Sequence, residues 1–188
     1  MKEIIGFITI ILAFVALYPY IVDIFRNKTK PHVFTWIIWA IATILVFFGQ
    51  WQKGGGPGSW TTGVTGILTI FIALISIKKG SKDITNSDKI IFIGALLTII
   101  PWLLTKDPTL SVILLTLIDV LAFFPTIRKT INDPQSETFI SYFLNVFRHG
   151  LSIFALTKYN LATYIFPAAL VIMNLVVVIM ISKSNHKK

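Results

Sequence analysis

The 188-residue chain contains no cysteine, which excludes disulfides, thiol chemistry and cysteine-ligated metal. Histidine is nearly as scarce. His32, His149 and His186 are scattered, and no carboxylate pair or nucleophile–base set accompanies them. An enzyme is therefore not expected, nor is a bound metal or other cofactor. No segment resembles a nucleotide-binding loop, so ATP drive is not expected either. Charge is sparse too. Only 13% of residues are charged, against 55% apolar and a mean hydropathy of +0.79. A soluble domain of this length cannot hide that much apolar surface, because many of the runs lack a polar face. The composition is that of an all-α integral membrane protein.

The net charge of +9 does not point to nucleic acid. Its basic residues fall in short clusters between apolar spans, where lipid headgroups are their natural partners. A crossing needs about 20 mostly apolar residues to cover ~30 Å of hydrocarbon. Seven segments qualify: 4–25, 32–50, 59–77, 90–105, 109–127, 138–157 and 161–182. The first is too long for a signal peptide, carries Glu3 where a basic region belongs, and lacks a small-residue cleavage site, so it reads as a helix that stays. With the N-terminus outside, Arg26, Lys28, Lys30, Lys78, Lys79, Lys82, Lys89, Arg128, Lys129, Lys183, Lys187 and Lys188 lie at the inner ends of the spans. Only Lys2, Lys53, Lys106 and Lys158 lie at the outer ends, and Arg148 is inside a span. That bias predicts a cytoplasmic C-terminus in a multi-pass protein. The expected location is the cell membrane, of the bacterial inner or plasma type.

The chain also repeats itself. At an offset of 106 residues, Tyr18-Pro19 faces Phe124-Pro125, Thr35-Trp36 faces Ser141-Tyr142, and Ser76 faces Ser182, without a gap from about residue 11 to residue 76. Spans one to three and five to seven form the two copies, and span four connects them. Three spans are an odd number, so the extra crossing keeps the copies parallel. The expected units are a first three-helix bundle over 1–80, a connector over 81–106, and a second bundle with a basic tail over 107–188. Such duplication is the mark of many transporters, with the solute held between the halves.

The second copy carries Pro125-Thr126-Ile127-Arg128-Lys129 and then Ser136-Glu137-Thr138-Phe139-Ile140-Ser141. This resembles the proline, basic stretch and Ser-Thr-Glu-x-x-Ser signature of SWEET-type sugar transporters, within a group that includes PQ-loop proteins and PnuC-type transporters. Tyr18-Pro19-Tyr20-Ile21 with Lys28-Thr29-Lys30 looks like the same element in the first copy. The resemblance implies two triple-helix bundles, a central pocket, alternating access near the prolines, and homo-oligomers such as a trimer or dimer. There are departures. The second-helix proline of SWEETs would fall at Ile38 and Leu144, and the pocket tryptophan at Gly49 and Ala155.

Candidate site residues follow from polarity inside the spans. An ionisable group there costs roughly 2.5–3.5 kcal/mol and faces a cavity or a partner. Asp119 and Arg148 are both mid-span and are expected to pair, with His149 beside Arg148 as a proton-sharing group. Trp36, Trp39 and Thr43 share one helical face, and Tyr142, Asn145 and His149 are their counterparts. Trp39, Thr43, Tyr142, Asn145, His149, Asp119, Arg148 and the deep Asn174 make up the predicted substrate site. Thr62, Thr65 and Thr69 read as a packing stripe. Pro19 and Pro125 are expected to gate, with Asp23 as a headgroup-level salt bridge to Arg26 or a gate contact.

The expected function is movement of a small polar solute, sugar or vitamin-like, by a facilitator or a proton-coupled carrier. The partners are the bilayer and the solute. A seven-helix receptor or sensor is the alternative. A retinal protein is disfavoured because the last span has no buried lysine for a Schiff base.

Overall fold

A bilayer core offers backbone groups no water, so each apolar run closes its hydrogen bonds internally as a helix. The computed structural model describes residues 1–81 and 84–185. Lys82, His186, Lys187 and Lys188, which entered the charge and histidine readings, lie outside the described residues. The helices are α1 (Lys2–Phe25), α2 (Val33–Gln52), α3 (Pro57–Lys79), α4 (Asn86–Leu97), α5 (Ile99–Thr105), α6 (Pro108–Asn132), α7 (Phe139–Phe154) and α8 (Leu161–Asn185). A short 3-10 turn, Pro134–Ser136, precedes α7. No strand occurs among the described residues; a single parallel bridge joins His32 to Ser81.

Local chemistry sets the helix ends. Pro57 and Pro108 open α3 and α6, where a missing N–H is harmless. Asp107 caps α6 by accepting the Thr109 N–H at 2.7 Å. Its exposed carboxyl also pairs with Lys53 at 2.7 Å, and the Lys53 bond, ahead of the Thr109 bonds, holds it well below the usual carboxylate range. His32 caps α2 through its ring, which accepts from the Thr35 N–H at 3.4 Å. Thr85 and Asp88 form a reciprocal capping box on α4.

Six helical segments are long and apolar enough to cross a membrane: α1, α2, α3, the α4–α5 stretch Asn86–Thr105, α6, and Leu161–Lys183 of α8. Two differences from the predicted spans have physical causes. The fourth span is broken. Pro101 has no N–H to donate to the Leu97 carbonyl, and the helix divides at Thr98, whose hydroxyl turns back to Ala95 at 2.7 Å. The sixth span is short. Helix α7 has 16 residues, or about 24 Å at 1.5 Å per residue. It also carries Asn145, Arg148 and His149, and so is the most two-faced helix of the set. Its exposed edge is a row of rings, with Phe139 stacked on Phe143 at 5.8 Å and Phe143 edge-on to Phe147 at 5.0 Å. Its other face is buried.

Packing brings six helices into a closed ring. Helix α3 lies against α1 and α2, and α8 lies against α6 and α7. Helix α1 meets α7, and α2 meets α6. The ring therefore runs α1–α3–α2–α6–α8–α7 and returns to α1. Helix α4 leans on α2 and α6, and α5 on α6. The α3–α7 approach is set by Gly58. A Cβ there would lie 2.7 Å from both the Ser152 carbonyl oxygen and the Leu156 nitrogen, which are backbone atoms with no room to yield. Gly58→Ala is expected to destabilise the protein by about 1–3 kcal/mol, as for other overpacked contacts. Thermal unfolding in detergent reads the change; an unaltered midpoint would mean that α3 and α7 separate freely.

Candidate functional site

At mid-height the ring encloses a cavity of about 60 Å³. That is room for a few waters, and far below the roughly 300 Å³ at which ordinary ligand sites begin. The cavity walls come from α1, α2, α3, α6, α7 and α8. Every residue predicted for the substrate site lines it: Trp39, Thr43, Asp119, Tyr142, Asn145, Arg148, His149 and Asn174. Four pairs on its wall stand 106 residues apart, namely Leu17 and Phe123, Trp36 and Tyr142, Trp39 and Asn145, and Thr43 and His149.

The wall has two levels. Toward the end where α1 stops and α2 starts it is aromatic. Tyr142, Tyr20, Trp36, Trp39 and Phe123 form an unbroken chain of ring contacts at 6.5, 5.1, 5.1 and 4.6 Å. That chain passes through α7, α1, α2 and α6, so it closes across all four helices. Buried Trp N–H groups need acceptors. Trp36 donates to the Tyr20 hydroxyl at 3.3 Å, and Trp39 to the Asp119 carbonyl at 3.5 Å.

The second level is polar, with Thr43, Thr65, Thr69, Asp119, Asn145, Arg148, His149 and Asn174. Here the structure corrects one expectation. Asp119 and Arg148 share the cavity but form no ion pair. The Arg148 guanidinium donates to the hydroxyls of Thr61 (3.4 Å) and Thr65 and to His149 Nε2 (2.7 Å), while Asp119 Oδ2 has no hydrogen-bond partner. The physical reason lies on α3. Its threonine hydroxyls bond their own helix or α1, as in Thr65 to the Thr61 carbonyl (2.6 Å) and Thr61 to the Thr9 carbonyl (3.2 Å), and still have lone pairs for a guanidinium. The packing stripe is thus also an arginine cradle. Asn174 is tied to its own helix through the Leu170 carbonyl at 2.7 Å.

Beneath the aromatic level the end of the cavity is sealed by charge. Glu137, next to the N-terminus of α7, is buried. It pairs with Lys129 at 2.6 Å and accepts from the Tyr142 hydroxyl at 3.0 Å. Lys129 also donates to the Lys30 carbonyl at 2.8 Å, across to the first half of the chain. Asp23 makes no ion pair with Arg26 among the described residues. It accepts from Thr138 at 2.8 Å, and Thr138 in turn meets Thr29 at 3.1 Å, so Asp23 is a contact between the halves. The opposite end is closed mainly by main chain. Thr157 and Lys158 donate their N–H groups to Gly55 and Gly54 at 3.0 and 3.1 Å, and Gln50 reaches the Thr163 carbonyl at 3.0 Å.

Pro19 lies within α1, one residue before Tyr20, and its ring lines an apolar crevice shared with Leu68 rather than the cavity. Pro125 falls within α6, and its side chain lies outside the described residues. Tyr20, Trp36, Ser141 and Phe123 line the cavity without having been predicted as site residues, and Glu137 seals it. The signal for Tyr20 was its place one helical step from Pro19 and Leu17. Glu137 was read only as part of the resembled signature at 136–141, which carries no hint that its carboxylate is buried.

Two measurements follow from this geometry. Asp119→Asn and Arg148→Gln should have additive effects on thermal unfolding, with a coupling below about 0.5 kcal/mol; a coupling of several kcal/mol would restore the ion pair. The second concerns the Glu137 seal. Burial raises the Glu137 pKa above the ordinary 4.5, against the opposing pull of Lys129, Tyr142 and Tyr20. A raised value means that the buried state holds its proton more tightly than an opened, hydrated one. Closure is thus strongest below pH 4.5 and weakens as pH rises through the raised pKa. The chain has no cysteine, so Ser141→Cys gives a single reporter in the cavity. Its modification by a polar thiol reagent, corrected for thiolate fraction, should quicken across that window, and Glu137→Gln should remove the dependence. The same slope in both proteins would discard the seal.

No family model, curated protein or solved structure matches this chain, so the site is read from its own geometry.

Proposed function

We propose that the protein is a membrane transporter of the SWEET and PQ-loop type, moving a small polar solute through the central cavity by alternating access. One observation carries this reading: a two-level cavity whose wall includes four pairs of side chains that stand 106 residues apart in the chain. In this reading 1–80 and 107–188 are parallel triple-helix bundles joined by a connector over 81–106. The ring of contacts supports it, because exchanging α1, α2 and α3 for α6, α7 and α8 maps each neighbour pair onto another. The N-terminus is placed outside and the C-terminus in the cytoplasm of a cell with a bacterial-type plasma membrane, on the strength of the basic clusters at one end.

Transport then proceeds by opening one seal at a time. Parting Glu137 from Lys129 and Asp23 from Thr138 frees α7 from α6 and α1 and lets the aromatic chain separate. Parting the Gly54–Lys158 and Gly55–Thr157 bonds opens the other end. Pro19 and Pro125 let α1 and α6 bend, since each lacks an N–H that would resist. The aromatic rings bind the flat or apolar part of a solute and the amides orient it.

Counterflow in proteoliposomes, with pooled labelled sugars, nucleosides, vitamins and amino acids, tests the proposal. Accumulation of one pool is expected. Accumulation of none, with folded protein, would end the transport reading in favour of a sensor. Pro19→Ala with Pro125→Ala should slow exchange severalfold at unchanged half-saturation; an unchanged rate would remove the prolines from gating.

A further inference from the structure

Among the described residues seven buried side-chain polar atoms have no hydrogen-bond partner, and five of them belong to cavity residues: Asp119, Ser141, Asn145, Arg148 and His149. Native interiors leave few such atoms, and where they gather around one cavity on α6 and α7 their partners are water or a ligand. Their chemistry is specific. Arg148 is 2% exposed, and its terminal nitrogens touch only the neutral Thr61, Thr65 and His149. A guanidinium only donates, so His149 Nε2 accepts and the ring proton sits on Nδ1. Arg148 Nε and His149 Nδ1 are therefore two donors without acceptors, beside a positive charge with no carboxylate in ion-pairing range. Thr61 and Thr65 do not require the guanidinium, because their own hydroxyl protons already go to backbone carbonyls.

An unbalanced guanidinium inside a membrane protein is tolerated where something else brings negative charge. We infer that the solute carries a carboxylate, which seats on Arg148 with His149 beside it, while a donor group of the same molecule serves the open oxygens of Asp119 and Asn145. A planar guanidinium fits a carboxylate better than any neutral group. A neutral polyol satisfies the open oxygens and leaves the charge unbalanced. The apolar remainder of the solute lies on Trp39 and Phe123. The inference takes from the transport proposal only that this cavity holds the solute.

Binding tests it apart from flux. The full chain in lipid nanodiscs is titrated at pH 7 with three matched pairs: benzoate and benzamide, glucuronate and glucose, N-acetylalanine and N-acetylalaninamide. Tryptophan fluorescence and the thermal midpoint are the readouts. At least one carboxylate should bind tenfold or more tightly than its neutral partner. Arg148→Gln should abolish that preference and Arg148→Lys should keep part of it. Without solute, Arg148→Met should unfold at the same temperature as the parent or higher, since it removes an unbalanced charge. Equal binding by a neutral partner, no response to any carboxylate, or a lower midpoint for Arg148→Met would each overturn the inference. Carboxylate binding without counterflow would instead overturn transport alone, and counterflow of a neutral solute would overturn the carboxylate alone.

Discussion

Inside hydrocarbon every polar group must find its partner within the protein, and this constraint orders the rest of the molecule. Backbone groups meet it by forming helices. Threonine and serine hydroxyls meet it by turning back onto carbonyls of their own helix, as Thr9, Thr65, Thr69, Ser76, Thr116 and Ser152 all do. Groups too large or too charged for that remedy are gathered on the inward faces of α6, α7 and α8. The outward faces are left to rings and branched aliphatics such as Phe7, Phe14, Ile67 and Phe147. The ring of helices follows, because inward polar faces can be hidden from lipid only by facing one another.

The same constraint explains why α7 stands apart. It is the shortest of the ring helices and the one with most charge to hide, and it takes its place between α1 and α8. Arg148 extends from it to α3, and Glu137 at its start holds Lys129 of α6. One short helix is thereby tied to both halves of the chain. Its row of phenylalanines keeps the opposite edge compatible with acyl chains.

Much of this was legible in the sequence. Helical spacing placed Trp39 with Thr43 and Asn145 with His149. The 106-residue offset matched the two sets, which line one cavity, and Asn174 and Asp119 stood out by depth alone. What was not legible depended on angles that spacing does not contain. Opposite charges on two helices read as a pair, yet Arg148 is turned toward the threonines of α3, and Asp119 is left facing the cavity. Pro101 marked the fourth span as one that ends or bends, but not that the break falls three residues earlier, at Thr98. Glu137 stood in the signature at 136–141, but only the fold shows it buried against Tyr142. Tyr20 sat in plain view beside Pro19, but its neighbours in the aromatic chain come from three other helices.

The two ends of the cavity are closed by different kinds of bond. At one end the closing groups are side chains, Glu137, Lys129, Thr138 and Asp23. At the other they are chiefly peptide groups of Gly54, Gly55, Thr157 and Lys158, with the water-exposed Lys53–Asp107 pair at the rim. Protons, salt and single substitutions act directly on side chains and barely on peptide bonds. Protons therefore reach one end through a buried carboxylate, and salt reaches the other through an exposed ion pair. A change of acidity and a change of ionic strength would be felt at opposite faces of the molecule.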